Sequence, residues 1–457
     1  MVDTGTEDSR RYRLRFTDGD DARGPQWTAF FGGDSILLDR PDGSPFGPDL
    51  TDRMQDADLT VVNLEGPIAG KTDPATKSGP VNQTVSETPT RFSAAGIDAV
   101  TLANNHTMDY GPGGLVETID RCNAASIGTC GAGEDNERAL DAHHSSIAEN
   151  IDVGLMSLCE REFGVAQPNQ AGTAWVNDPL TIDRVREAAD ETDFLIVAVH
   201  GGVEYVPFPP PSLRERYRAL IDAGADLIVG HHPHVPQGWE TIEGVPVFYS
   251  LGNFLFDQSR RPNTSRGLAL AGEFSGTRLV GIELIPTRLV GGRVCEIDTA
   301  EERRSFLDHL DRLTTATQDD LEPYWQEVAE RVFLQRHGQM IRKAGGGDPF
   351  GMLRQPRLHL QQGGLWNSDQ RQYPMLALLN MVRNESHRAV IETALELRTG
   401  TTDDRRTPAV TAEVRQFFAH TEDRAIYDPP SVMERGLKLS MKRIRQRIGR
   451  LVPSPTS

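Results

Sequence analysis

Residues 194–204 read FLIVAVHGGVE, and residues 227–234 read LIVGHHPH. In each stretch, a short run of apolar residues is followed by glycine and histidine. Residues 212–222, which lie between them, follow a helical pattern after a run of prolines. Strand, helix and strand in this order form the repeating unit of an α/β fold with a substantially parallel sheet. The polar residues that follow each strand are the second feature to explain.

The same alternation extends over about residues 26–300. The other strand candidates are Trp27–Phe31, Leu59–Val62, Ala99–Leu102, Val153–Leu158 and Val247–Ser250. The other helical candidates are 87–95, 113–123 and 181–190. Residues 279–297 differ, because they read as two strands joined at Gly291 and Gly292, which predicts an antiparallel hairpin. The sequence therefore predicts an α/β domain over residues 26–300.

Two regions flank this domain. Residues 1–25 are polar and charged and are interpreted as a leader, whereas residues 301–457 lose the strand pattern and predict a mostly helical C-terminal region. Residues 433–452 carry an apolar stripe of helical spacing surrounded by arginine and lysine. Such a helix packs on the acidic body of its own protein or lies on an anionic membrane surface as a peripheral contact, and both interpretations stay open.

The composition limits which classes of partner and which cell compartment are expected. Forty-eight basic and 66 acidic residues give a net charge of −18, which argues against nucleic-acid binding because a phosphate backbone would be repelled. The chain is poor in lysine, which is typical of halophilic-type acidic proteins and equally of an arginine-favouring, GC-rich genome. No apolar run approaches the ~20 residues of a membrane span, and no secretory signal is recognisable, so a cytoplasmic protein is predicted. Four cysteines without CxxC spacing predict reduced thiols.

Polar side chains follow six of the predicted strands. In chain order they include Asp34, Glu65, Asn104-Asn105-His106, His200, His231-His232-Pro233-His234 and Asn253. Because ligands of α/β sheets bind at the carboxyl ends of the strands, these side chains are expected to meet at one edge. Carboxylate, amide and imidazole donors suit a divalent metal such as Mn, Zn or Fe.

Each of these signals has a structural explanation when taken alone. Gly33-Asp34 after a strand is usually a turn in which Asp34 caps the next helix, and Asn105-His106 fits a capping loop. The histidine cluster is harder to explain as structure, since Pro233 stiffens the segment and fixes where the imidazoles point. Six such clusters at successive strand ends favour a metal site.

Six segments together resemble one family. They are FGGDSILL (31–38), VVNLEGPIA (61–69), TLANNHTMDYG (101–111), VAVHGGVEY (197–205), DLIVGHHPHVPQG (226–238) and VFYSLGNFLFD (247–257). Their order resembles that of CapA-like proteins, a family linked to poly-γ-glutamate capsule synthesis within the calcineurin-like metallophosphoesterases. The resemblance covers roughly residues 26–285. It implies a four-layer α/β/β/α sandwich of two mixed sheets flanked by helices, with a metal site at one edge.

The resemblance also implies roles for individual residues. The implied ligands of one or two divalent ions are Asp34, Glu65, Asn105, His200, His232 and His234. Glu65 stands at the position of the carboxylate that bridges two metals. His106 would protonate a leaving group or steady an oxyanion, with Asp109 and Glu204 as partners that orient histidines. The wider superfamily has a histidine where this chain has Ile36, which leaves the first metal short of one ligand.

The substrate is less well defined by the sequence. An anionic polymer or a phosphoester is expected, with Asn253, Arg260 and Arg261 as substrate-binding candidates. A turn-stabilising amide explains Asn253 at least as well, and a solvated loop paired to nearby acids is the preferred explanation of the two arginines. Two functions follow. One is a metal-dependent hydrolase, phosphoesterase-like, that acts in synthesis or processing of poly-γ-glutamate or a related cell-surface polymer. The other is a polymer-binding factor that holds an anionic chain without cutting it.

Overall fold

The computed structural model describes residues 3–8, 11–16, 24–38, 43–68, 72–148, 151–258, 262–344 and 372–421. Its strands are β1 (Asp3–Asp8), β2 (Arg11–Arg15), β3 (Gln26–Ser35), β4 (Leu59–Leu64), β5 (Ala99–Thr101), β6 (Gly128–Cys130), β7 (Ala132–Gly133), β8 (His143–Ile147), β9 (Ile151–Cys159), β10 (Gly172–Thr173), β11 (Phe194–His200), β12 (Leu227–His231), β13 (Trp239–Ile242), β14 (Val245–Phe248), β15 (Asn253–Leu255), β16 (Arg266–Ser275), β17 (Arg278–Val290) and β18 (Arg293–Glu296).

The helices are α1 (Pro48–Asp56), α2 (Thr88–Ala94), α3 (Gly111–Ala124), α4 (Asn136–Ala139), α5 (Thr181–Glu191), α6 (Pro211–Asp222), α7 (Ala300–Val332), α8 (Gly338–Ala344), α9 (Gln372–Arg383), α10 (Glu385–Thr399) and α11 (Pro408–Thr421). A 3₁₀ turn spans Pro262–Ser265, and a π-helical turn, Phe333–His337, joins α7 to α8. Helix α7 bends at Asp320, whose backbone is not helical.

Two mixed sheets carry the fold. The first has the order β1-β2-β17-β16-β3-β4-β5-β6, with β15 beside β3 and β18 beside β17. The second has the order β13-β14-β12-β11-β9-β8. Strands β3, β4, β5 and β6 run parallel to one another, as do β9, β11, β12 and β14. The carboxyl ends of each parallel set therefore share one edge.

Alternating side chains along the strands divide the core into layers. In β11, Phe194 and Ile196 join a cluster that also holds Trp27 and Phe31 of β3, whereas Leu195 and Val197 pack against helices α5 and α6. The outer face of the first sheet packs on α1, α2 and α3 in the same way. Each fully buried apolar side chain of this kind contributes about 1.5–3 kcal/mol. The predicted four-layer α/β/β/α sandwich is confirmed, and so is the hairpin, formed by β17 and β18.

The interpretation of residues 1–25 as a polar leader needs correction. Arg11–Arg15 form β2, which pairs with β17, and Leu14 is completely buried there. The Tyr12 hydroxyl donates to Asp311 Oδ1 of α7 at 2.7 Å. Tyr12 and Leu14 alternate with arginines, and an alternation of so few residues is too short to stand out within a charged segment.

The C-terminal region is helical over its described part, as predicted, while the proposed boundary near residue 300 stays a prediction. The basic segment 433–452 lies outside the described residues. No helix in the described ranges is long and apolar enough to cross a membrane. The four cysteines are free thiols, which confirms that prediction.

Candidate metal centre

The first sheet brings two carboxylates to its carboxyl edge. Asp34 stands at the end of β3, and Glu65 directly follows the neighbouring parallel strand β4. Both side chains are completely buried. Because the two strands run parallel, their ends place the two carboxylates side by side.

The second sheet brings the histidines to the same place. His200 ends β11 and is paired with His231, which ends β12. His232 and His234 follow in left-handed conformations, with φ of 100° and 58°. Such backbone angles are strained for residues other than glycine and cluster at functional sites. This turn directs both imidazoles back toward the first sheet, where they are buried.

The first group of ligand atoms belongs to Asp34, Glu65 and His234. One atom from each lies within 4.8 Å of the others. His234 Nδ1 lies 3.3 Å from Asp34 Oδ2 and 2.9 Å from the Asn253 amide oxygen, and His234 Nε2 lies 3.6 Å from Glu65 Oε1. A proton on Nδ1 satisfies the first two contacts, so Nε2 is the nitrogen left to bind a metal.

The second group belongs to Glu65, His200 and His232. His200 Nε2 lies 3.0 Å from His232 Nδ1, 3.2 Å from the Asn105 amide oxygen and 3.7 Å from Glu65 Oε1. Carboxylate, amide and imidazole atoms therefore converge on one point. The structure brings together all six residues that the sequence predicts as ligands, and their metal-binding role stays a prediction.

Glu65 is the member common to both groups. Both of its carboxylate oxygens are buried and accept no hydrogen bond. A buried carboxylate without hydrogen bonds is costly unless a cation or a proton neutralises it. The donor set and the unsatisfied oxygens together fit a divalent ion in each group, with Glu65 between them.

A separate cluster surrounds His106. Its Nδ1 lies 2.6 Å from Asp109 Oδ2, and Lys77 Nζ donates to Asp109 Oδ1 at 2.5 Å and to the Asn105 carbonyl at 2.8 Å. All of these side chains are buried. Asp109 thus contacts His106, and its role in orienting that histidine stays a prediction. Lys77, which holds Asp109 and the backbone of a predicted ligand, was not found from the sequence.

The family comparison covers the part of the chain that carries these residues. Residues 28–258, just over half of the 457-residue chain, match the family described as "Bacterial capsule synthesis protein PGA_cap". The chain belongs to the PGA_cap family. The matched range contains both ligand groups and the His106 cluster, and it ends before α7.

Individual relatives match parts of this PGA_cap chain. The capsule biosynthesis protein CapA of Bacillus anthracis is 34% identical over 178 residues, which are 38% of this chain and 43% of the relative. The PGA biosynthesis protein CapA of Bacillus subtilis (strain 168) is 36% identical over 159 residues, or 34% and 42% of the two chains. The chain therefore spans less than half the length of these curated relatives. A 5'-nucleotidase from Candida albicans SC5314 has a TM-score of 0.35 and 9% identity over 64% of this chain and 60% of its own, too weak a likeness to bear on fold or function.

Burial and charge set the protonation of the PGA_cap site. Burial raises the pKa of Glu65 well above its ordinary value. Burial lowers the pKa of His234, but the carboxylates of Glu65 and Asp34 outweigh it and raise that pKa to about 10. Without a cation, the Glu65–His234 pair therefore retains at least one proton at neutral pH. Burial lowers the pKa of His232 to about 4, so this ring is neutral and its lone pair is available.

Two asparagines fix the ligands. The Asn63 amide donates to Asp34 Oδ1 at 2.8 Å. The Asn253 amide oxygen holds His234 Nδ1, and its nitrogen donates to the Thr264 carbonyl at 3.0 Å. Asn253 therefore orients a histidine and is anchored to the backbone, and its role in substrate binding stays a prediction.

Ile36 leaves the first group with three candidate ligands. Its side chain is buried and packs over Gly66, where an added Cβ would lie 2.5 Å from Ile36 Cδ1. His231 is not among the predicted ligands, and its Nδ1 lies 3.5 Å from Asp34 Oδ1. Burial alone would raise the pKa of Asp34, but His231 and His234 hold it well below its ordinary value, so Asp34 stays ionised.

Of the other predicted site residues, Glu204 lies beside the ligand histidines, whereas the two arginines are not described. Burial favours protonation of Glu204, but His234 and His232 outweigh it and lower the pKa of Glu204 to about 2, so its carboxylate is ionised beside the histidines. Arg260 and Arg261 lie outside the described residues. Glu162, absent from the predicted set, places Oε1 3.9 Å from His232 Nε2.

Metal affinity is expected to rise with pH. A cation must displace the proton held by Glu65 and His234, so affinity should increase about tenfold per pH unit for each proton displaced. This increase should extend from pH 7 toward the pKa of His234, about 10, above which the proton is already gone. Calorimetry in buffers of different ionisation enthalpy measures the protons released; an affinity that is constant between pH 7 and 9 would contradict this protonation state.

Proposed function

We propose that this PGA_cap protein is a metal-dependent hydrolase that cleaves an ester or amide bond in an anionic substrate, either a phosphoester or a γ-glutamyl polymer. Its role would be the synthesis or processing of a capsule or related cell-surface polymer. The observation that carries the proposal is Glu65, which is buried, belongs to both ligand groups and has no hydrogen bond to either oxygen. The names of the two Bacillus relatives support a polymer of the capsule as the substrate.

Different residues of the chain would have different roles in hydrolysis. Divalent ions held by the two groups would supply Lewis acidity, which lowers the pKa of water and polarises a carbonyl or phosphoryl group. Asp109 accepts from His106 Nδ1, so the protonated ring would give the proton on its Nε2 to a leaving group, or donate from Nε2 to an oxyanion. Lys77 donates to Asp109 and holds it in place. Asn63 and Asn253 keep Asp34 and His234 in their orientations.

A specific observation favours a second function. Ile36 occupies the position, two residues after Asp34, where the superfamily has a histidine, and its buried side chain packs over Gly66, so the first group has fewer ligands than a two-metal hydrolase normally offers. A protein with such a reduced site could hold the carboxylates of a polymer through one ion without cleaving it. The intact His106–Asp109 pair favours hydrolysis, because polymer binding alone does not require a proton donor.

Turnover with and without metal separates the two functions. Purified protein is incubated with aryl and alkyl phosphoesters and with poly-γ-glutamate, before and after chelation and after addition of Mn, Zn or Fe. Hydrolysis is expected only with metal present and should return when metal is restored. Metal-dependent binding of the polymer without any cleavage would favour the second function instead.

A further inference from the structure

The helical C-terminal region is anchored at the same sheet edge as the metal centre. Glu160 follows β9 and is buried; it accepts from the Ser386 hydroxyl at 2.7 Å, the Ser386 amide at 3.3 Å and the Asn384 side chain at 3.2 Å. These partners form the start of α10. Since buried carboxylates are costly without such partners, the contact fixes where α10 begins.

A second carboxylate anchors the region from the opposite direction. Glu385 of α10 is buried and accepts from Trp175 Nε1 at 2.8 Å, from the Asn177 amide at 2.8 Å and from the Arg161 backbone at 2.9 Å. Each side of the interface thus contributes one buried carboxylate: Glu160 of the α/β domain accepts from α10 and its N-cap, and Glu385 of α10 accepts from the α/β domain. Loss of either side would leave buried polar groups unsatisfied, so the docking is specific rather than a loose contact.

The loop that follows His200 also packs on this region. Val203, Val206 and Phe208 form one buried cluster with residues of α7, α10 and α11, among them Trp325 and Phe417. This loop carries Glu204 and Tyr205, and the Tyr205 ring lies 5.6 Å from the His234 ring. The C-terminal helices therefore determine the position of a wall of the metal centre.

Arg336, in the π-helical turn, reaches this wall. Its Nη1 donates to the Glu204 carbonyl at 3.3 Å, and its guanidinium lies 5.9 Å from the centre of the Tyr205 ring. His337 in the same turn contacts His387 of α10, with Nε2 and Nδ1 3.1 Å apart. The Tyr205 ring beneath this guanidinium lies in turn 5.6 Å from the His234 ring, so one side chain separates Arg336 from the first ligand group.

We infer that the helical C-terminal region completes this site and that Arg336 contacts an anionic oxygen of the substrate, an inference that rests on the proposed function. Arg336 is half-buried, planar and cationic; it contacts Glu204 and Tyr205 in the wall of the metal centre and belongs to a region that the family match of residues 28–258 does not include. A guanidinium suits carboxylate and phosphoryl oxygens alike. The substrate class that it selects is therefore an anion with oxygen donors near the bond to be cleaved.

The test measures anion binding by the full chain. Inorganic phosphate and γ-glutamylglutamate are titrated calorimetrically into metal-loaded wild type, Arg336→Gln, Arg336→Lys and, as a control, Arg342→Gln, an exposed arginine on the adjoining helix α8. Metal content is measured in each. Arg336→Gln should weaken binding of at least one anion about 10–100-fold, as expected for a lost charged hydrogen bond. Arg336→Lys should recover part of the affinity, Arg342→Gln should match wild type, and metal content should not change.

The outcomes separate the inference from the proposed function. Wild-type affinity for both anions in Arg336→Gln, or no binding of either anion by wild type, would overturn the inference. Should Arg336→Gln misfold, the affinity of folded Arg336→Lys decides, and a wild-type value there also overturns it. Anion binding that depends on Arg336 in a protein without turnover would reject hydrolysis and uphold the inference. The anion that responds more strongly identifies phosphoryl or carboxylate chemistry.

Discussion

Replacing Glu65 with alanine is expected to lower metal content from about two ions per chain to below about one and to abolish turnover. Glu65 is the ligand that both groups share, so its loss weakens both sites at once. Loss of a residue that merely orients a ligand costs 10–100-fold in affinity, so loss of a shared direct ligand should cost roughly 100-fold or more. Elemental analysis of the purified variant and titration with Mn, Zn and Fe measure the effect.

Thermal unfolding provides a second measure of the same variant. A metal that binds only the folded chain raises its melting temperature, so chelation should lower the melting temperature of wild type and leave Glu65→Ala unchanged. Glu301→Ala is a matched control, since Glu301 is exposed at the start of α7. Metal content in Glu65→Ala equal to that of the control would show that Glu65 is not a ligand.

His106→Ala is expected to lower kcat by about 10²–10⁴ while leaving metal content unchanged. His106 is held through Nδ1 by Asp109 and is not a member of either ligand group, so its removal takes away a proton donor rather than a ligand. The loss should be largest for alkyl esters, whose leaving groups need a proton, and smaller for nitrophenyl esters. Steady-state kinetics on such a pair of substrates measures this difference.

The acidity of His106 predicts the direction of the pH profile. Burial lowers the pKa of His106, and the charge of Lys77 lowers it further, so the protonated fraction falls as pH rises above this reduced value. A reaction that needs imidazolium therefore slows toward alkaline pH, and His106→Ala should lose this limb of the profile. His144→Ala is the control, because His144 is an exposed histidine on β8. Wild-type activity in His106→Ala would remove His106 from the mechanism.

The sequence predicted the parts of the site that depend on repeated patterns. Parallel strands end at one edge, so polar residues such as Asp34, His200 and His232 at successive strand ends had to meet there. The four-layer arrangement followed from the family resemblance, and the alternation of Phe194 and Ile196 with Leu195 and Val197 gives its physical reason. These features are properties of whole elements, which a single sequence can reveal.

Features that rest on single long-range contacts were not predictable. Lys77 lies in a loop without a repeating pattern, and only its position beside Asp109 marks it as part of the site. Arg336 and Glu385 belong to helices whose spacing indicates helical structure but not where the helices dock. Asn253 contacts His234 and the Thr264 carbonyl, 19 and 11 residues away, and no pattern in the sequence indicates these two contacts.

Metal content per chain tests the central claim most directly. Wild-type protein, purified without chelator, is compared by elemental analysis with an Asn105→Ala, His232→Ala double variant, in which the second group loses two of its donors. The shared position of Glu65 predicts about two divalent ions per chain in wild type and about one or fewer in the variant. Wild-type protein that stays folded and binds no divalent ion would contradict the account.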